Sequence, residues 1–146
     1  FEYAAKNDYK YVVTIDADGQ HSVGDLEKII NVLKNQDCDL VISQRNNLPR
    51  ISEKIFSMYT HFRYGIKDLL SGLKGYNIEV FKQYGTYRSF NSIGTELSVF
   101  TLKKGYRIKK IDINVNDRKD KPRLGGIFLG NFRIIVALIR LIFKKF

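Results

Sequence analysis

The sequence predicts an α/β fold, a sheet flanked by helices, on three observations. Tyr11-Val12-Val13-Thr14-Ile15 is a continuous apolar run, Val23 to Lys34 repeats its apolar residues at helical spacing, and Leu40 to Ser43 is a second short apolar run. Strand, helix, strand in that order implies a parallel pair joined by a right-handed crossover, and loops at the carboxyl ends of such strands bind ligands. The 146 residues fit one domain, and 44% hydrophobic with 27% charged content excludes general disorder.

Phe1 to Lys6 reads as the end of a helix and lacks the apolar segment of a signal peptide. Tyr11 to Ile15, apolar without alternation, suits a strand covered on both faces. In the helix from Val23, Ser22 is the N-cap, Asp25 holds the capping-box position, and Leu26, Ile29, Ile30 and Leu33 form the sheet-facing side. Cys38 is the single cysteine, so an internal disulfide is excluded; beside a strand it reads as a buried reduced thiol, which favours a cytoplasmic setting. The strand from Leu40 ends at Gln44-Arg45-Asn46-Asn47.

A helix is expected from Ile51 to Leu70, entered by Leu48-Pro49-Arg50, started by Ser52 and Glu53, and weakened or bent at Gly65. Gly72 and Gly75 follow, three apart, where close backbone approach or positive φ is required. A short helix from Ile78 to Tyr84 and another from about Gly94 to Lys104, ended by Gly105, precede a strand from Tyr106 to Val115.

Residues 125–146 read as a separate amphipathic helix after a body of residues 1–124. At about 100° per residue, Arg133, Ala137, Arg140 and Lys144 make one narrow stripe, and apolar residues cover the rest. Of the net charge of +10, seven units lie beyond residue 117, where Asp120 is the lone acid. Such a helix suits an anionic membrane interface; a core-packing or dimer-forming terminal helix is the alternative, which leaves a homo-oligomer open. Nucleic acid is disfavoured, because the basic residues lie on an apolar helix and a loop without interleaved aromatics.

Asp16-Ala17-Asp18-Gly19-Gln20-His21 carries the chemistry. In an extended segment, Asp16, Asp18 and Gln20 share one side and offer an all-oxygen set suited to Mg2+ or Mn2+, with room for substrate phosphates. The same residues also suit an ordinary strand-end turn. His21 and His61 have no partners at zinc spacing.

In order, Val12 to His21, Val41-Ile42-Ser43-Gln44-Arg45, Asp68-Leu69-Leu70-Ser71-Gly72-Leu73-Lys74-Gly75-Tyr76, Gly94-Thr95-Glu96-Leu97 and Val115-Asn116-Asp117-Arg118 resemble the motifs of glycosyltransferase family 2. The likeness is to its inverting GT-A class, and within it to the dolichol-phosphate mannose synthase-like, polyprenyl-phosphate branch. It implies a GT-A (Rossmann-like) mixed sheet, a nucleotide-sugar donor, a lipid-phosphate acceptor, and a place on the cytoplasmic face of a membrane. It also implies that nucleotide-binding strands precede residue 1, so residues 1–124 resemble the C-terminal portion of a catalytic domain.

On this resemblance Asp16 and Asp18, with Gln20, hold the metal on the diphosphate, where charge develops as the sugar leaves. Asp68 and Glu96 are the catalytic candidates. Asp68 acts as base or orients a loop through hydrogen bonds; Glu96 orients the acceptor or a metal-side group, or is a helix-start acid favoured by the dipole. Arg45, Ser71, Gly72, Lys74, Arg118, Lys121 and Arg123 are the substrate-binding candidates, the last three either clamping phosphate or forming a solvated basic loop. Two alternatives stay open: the same chemistry on a saccharide acceptor in cell-surface polysaccharide synthesis, which requires a base, and a non-catalytic basic membrane-binding fragment.

Overall fold

The order of strands in space departs from their order in the chain. The computed structural model describes residues 1–35, 37–85, 94–115 and 127–145. Four strands, β1 (Tyr11–Thr14), β2 (Leu40–Arg45), β3 (Lys74–Asn77) and β4 (Ile108–Ile113), form a sheet in the order β1-β3-β2-β4. The helices are α1 (Glu2–Lys6), α2 (Val23–Asn35), α3 (Ile51–Tyr64), α4 (Ile78–Tyr84), α5 (Thr95–Lys103) and α6 (Ile127–Phe143).

Strands β1 and β2 run parallel, as expected, but do not pair with each other. β3 enters between β1 and β2, antiparallel to both, and β2 pairs in parallel with β4 instead. The mixed sheet follows from this insertion. β3 escapes sequence patterning because Lys74 and Gly75 stand where β-rich residues would signal a strand. The glycine has a packing reason: a Cβ on Gly75 would fall 2.5 Å from Leu33 Cδ1 and 2.6 Å from Ile29 Cγ2. Helix α2 therefore rests directly on the β3 backbone.

Local signals set the helix ends. Ser22 Oγ accepts the Asp25 backbone N–H at 3.1 Å and donates to the Asp25 carboxylate at 2.8 Å, capping α2. Gly65 ends α3 rather than bending it. With φ +69° its backbone N–H donates to the His61 carbonyl at 2.8 Å, so the helix expected to reach Leu70 stops at Tyr64. Residues 66–73 return as a loop to the sheet.

Alternation along the strands divides the interior in two. One side packs Ile29 and Leu33 of α2 on Val41, Leu73 and Ile113. The other joins Leu40, Ile42 and Tyr76 to Phe56 of α3, Leu97 of α5, and Leu138 and Leu141 of α6. Cys38 is buried on the α2 side, and burial pushes its thiol above its ordinary value.

Helix α6 differs from the projected pattern. Ala137 packs inward and Lys144 turns to Glu96, so only Arg133 and Arg140 of the expected basic stripe are exposed. The outward face carries Phe128, Phe132, Ile139 and Phe143. Among the described residues no helix is long and apolar enough to cross a membrane.

Candidate active site

Register brings the motifs together. Thr14 of β1 and Ile42 of β2 both lie opposite Lys74, the first residue of β3. The chain leaving β1, the end of β2 and the loop entering β3 therefore meet at one edge of the sheet.

Asp16 is exposed there, with its carboxylate against the Gly72 backbone. A Cβ on Gly72 would fall 2.0 Å from Asp16 Oδ2, so no larger residue fits without moving the carboxylate. Thr14 Oγ1 donates to the Gly72 carbonyl at 3.0 Å, fastening the loop to β1. Asp18 Oδ1 accepts the Gln20 backbone N–H at 3.2 Å, which shapes the segment as an Asx turn. The segment is thus the turn, with Gly19 at φ +74°, and the extended run in which Asp16, Asp18 and Gln20 share one side is corrected; their oxygens remain of the kind a hard cation takes.

Arg45 and Asp68 form a bidentate pair behind this edge. Arg45 Nε donates to Asp68 Oδ2 at 2.6 Å and Nη2 donates to Oδ1 at 3.1 Å, while the Arg45 backbone N–H reaches Oδ2 at 3.2 Å. Asp68 is buried and all three donors come from Arg45, so the carboxylate holds the loop on β2. This is the loop-orienting alternative, and it leaves Asp68 poorly placed to accept a proton. Ser71 is also buried, its hydroxyl 2.6 Å from that of Ser43, which in turn donates to the Leu73 carbonyl at 2.8 Å.

Lys74 is the unusual member. Its side chain is 1% exposed, and its Nζ has no hydrogen-bond partner among the described residues. Burial lowers its pKa to about 8, opposed by the negative charges of Asp68 and Asp16. Two residues given no part in the site by the sequence also lie beside this group. Glu53, in the first turn of α3, lies 3.8 Å from Arg45 Nη2, and burial pushes its carboxyl above the ordinary range. His21 Nδ1 is buried without a hydrogen-bond partner among the described residues, and burial holds the imidazole below its ordinary value against the pull of Asp16 and Asp18. The sequence signal for His21 was its place directly after Gln20; for Glu53 it was the acid beside Ser52.

Glu96 is not brought to this group. At the start of α5 it accepts from Tyr84 Oη and pairs with Lys144, linking α5 to the end of α6. Here a cation and a phenol engage the carboxylate. Arg118, Lys121 and Arg123 lie outside the described residues.

No group of three or more His, Cys, Asp or Glu side chains among the described residues has a metal-holding arrangement. A closed protein cage is therefore not offered by those residue types. Asp16 and Asp18, with the Gln20 amide, instead fit the partial oxygen shell that a hard divalent cation completes with phosphate oxygens. Lys74 is buried close enough to Asp68 and Asp16 for their negative charges to favour its ammonium form.

The four-stranded mixed sheet flanked by helices is a GT-A-like fold. The profile of glycosyl transferase family 2 matches residues 2–91, and the chain belongs to that family. An uncharacterized protein of Methanocaldococcus jannaschii is 26% identical over 144 residues, covering 89% of this chain and 59% of that protein. Glucosyl-3-phosphoglycerate synthase from Mycobacterium tuberculosis, solved with phosphoglyceric acid, superposes with a TM-score of 0.66 at 18% identity, covering 90% of this chain and 49% of that one. The same synthase solved with Mn2+ and UDP-glucose gives a TM-score of 0.63 at 18% identity over the same shares. This chain spans about half the length of that synthase.

Proposed function

We propose that this chain forms the metal- and acceptor-side part of a glycosyltransferase that moves a sugar from a nucleotide-diphosphate sugar to a polyprenyl phosphate, as in the dolichol-phosphate mannose synthase-like branch. The observation that carries this reading is the juxtaposition of Asp16, seated on Gly72, with the unpartnered buried ammonium of Lys74. Asp16, Asp18 and Gln20 hold Mg2+ or Mn2+, which when bound stabilises the charge growing on the leaving diphosphate. The solved synthase carrying Mn2+ and UDP-glucose supports that choice of donor class.

The acceptor follows from what the carboxylates are doing. A saccharide hydroxyl needs a general base, yet Asp68 is bound to Arg45 and Glu96 to Lys144. A phosphate acceptor is already ionised and needs none; Lys74, with Arg118, Lys121 and Arg123, offers it cations. Helix α6 acts as a membrane-interface helix that holds the enzyme peripherally on the cytoplasmic face, where a lipid-linked acceptor is presented.

The test is transfer from labelled nucleotide sugars to polyprenyl phosphate in vesicles, with Mn2+ present or chelated. Cation-dependent labelling of the lipid, absent with a saccharide acceptor, is expected. Labelling of the saccharide alone would overturn the acceptor assignment, and undiminished labelling after chelation would overturn the metal.

A further inference from the structure

Helix α3 carries an apolar stripe on its outward side. Ile51, Ile55, Met58 and Phe62 recur at spacings of four, three and four and all point outward, Met58 70% and Phe62 93% exposed. The opposite side of the helix, Ser52, Phe56 and Thr60, is buried. Helix α6 repeats the arrangement, with Phe128 92% and Phe143 78% exposed on the face opposite Leu138 and Leu141.

The two stripes lie on one side of the molecule. Phe56 of α3 and Leu138 and Leu141 of α6 enter the same core cluster. The helices also touch: Ser52 donates to Asn131 Oδ1 from its backbone N–H at 3.2 Å and from its hydroxyl at 2.6 Å. Their outward faces therefore make one two-helix surface of Ile, Met, Leu and Phe, of a kind soluble monomers seldom expose.

Charge identifies the occupant. Residues 50–64 and 128–145 contain seven Lys and Arg against one acid, Glu53, and that acid is buried. Exposed Lys54, Arg63, Arg133 and Arg140 border the apolar stripes. An apolar strip edged by cations with no exposed acid complements an anionic lipid surface.

We infer that α3 and α6 together form a membrane-contact face, with α3 an equal partner to α6. The inference rests on α6 being lipid-facing and extends it to a helix from the middle of the chain. It also ties docking to the site, because the inner side of α3 carries Glu53, 3.8 Å from Arg45. A lipid-linked phosphate would thus meet the candidate site at the surface where the protein rests.

Flotation with vesicles of phosphatidylcholine and one-third phosphatidylglycerol tests this on the 146-residue chain. Met58→Glu with Phe62→Glu on α3, and Phe132→Glu with Phe143→Glu on α6, change only exposed side chains. Each double variant is expected to weaken partitioning at least about tenfold while keeping a cooperative melt. Wild-type partitioning by the α3 variant, with loss in the α6 variant, would overturn the role of α3 and leave that of α6 standing. Partitioning unchanged in both variants, or absent in wild type, would overturn the membrane reading itself. A dimer in sedimentation without vesicles, dissociated by the α3 variant, would instead assign the face to a second copy and overturn the inference.

Discussion

Arg45–Asp68 and Lys144–Glu96 are both cation–carboxylate pairs with a well-buried acid, yet they do different work. The first is bidentate, at 2.6 and 3.1 Å, and clamps the loop before β3 beside Asp16 and Lys74. The second joins a flexible ammonium to an acid already bound by Tyr84, and fastens the end of α6 to α5. Identical charge types thus yield a wall of the site in one place and a structural tie in the other. Their shared lesson is that a carboxylate matched to a protein cation is a poor proton acceptor, which moves attention to Asp16, Asp18 and Lys74.

The largest expected effect separates the site from both pairs. Asp18→Ala should lower sugar transfer by roughly 10³-fold and weaken Mn2+ binding measured by electron paramagnetic resonance, with the thermal transition unchanged. Retained Mn2+ affinity would remove Asp18 from the ligand set. Next, Asp68→Asn strands Arg45 behind the sheet edge and should cost about 3 kcal/mol in urea unfolding. A loss of activity with full stability would instead make Asp68 a base.

Lys74→Met should act in the opposite direction on stability. Lysine ordinarily titrates at 10.5 and here at about 8, so between those values the unfolded chain holds a proton that the folded chain has released. Wild-type stability therefore rises with pH across that window, and the variant should lack the rise. Below pH 8 the variant should be about 3 kcal/mol more stable while losing acceptor binding. Smallest of all, Glu96→Gln should cost about 1 kcal/mol and leave Mn2+ affinity intact, because Lys144 is partly solvated. A loss of transfer at unchanged stability in that variant would erase the contrast between the two pairs.

The helices and three of the strands were legible because apolar spacing and caps act locally. Ser22 with Asp25, and Gly105 with φ +75°, ended helices where the sequence placed them. β3 was hidden because its partners lie far along the chain and its buried lysine mimics a surface residue. The stop at Gly65 was misread because glycine permits both a bend and a left-handed cap, and only the Gly65 N–H to His61 contact distinguishes them. Within the site, Asp16, Asp18, Gly72 and Lys74 follow from adjacent motifs, whereas the engagement of Asp68, Ser71 and Glu96 depends on Arg45, Ser43 and Lys144, residues from other elements. The outward stripe of α3 was illegible for a related reason: an apolar helix face has no mark that says whether protein or lipid covers it.

The contact between Gly72 and Asp16 also bears on how mutational data from this chain are to be interpreted. Gly72 has no group that binds a cation, yet adding one methyl there displaces the carboxylate proposed to hold one. A scan for residues required for cation affinity would score Gly72→Ala alongside Asp16→Ala. The sterically determined position and the chemical one would share a phenotype, and a structure of Gly72→Ala, in which the Asp16 carboxylate is intact but displaced, separates occupancy of space from donation of oxygen.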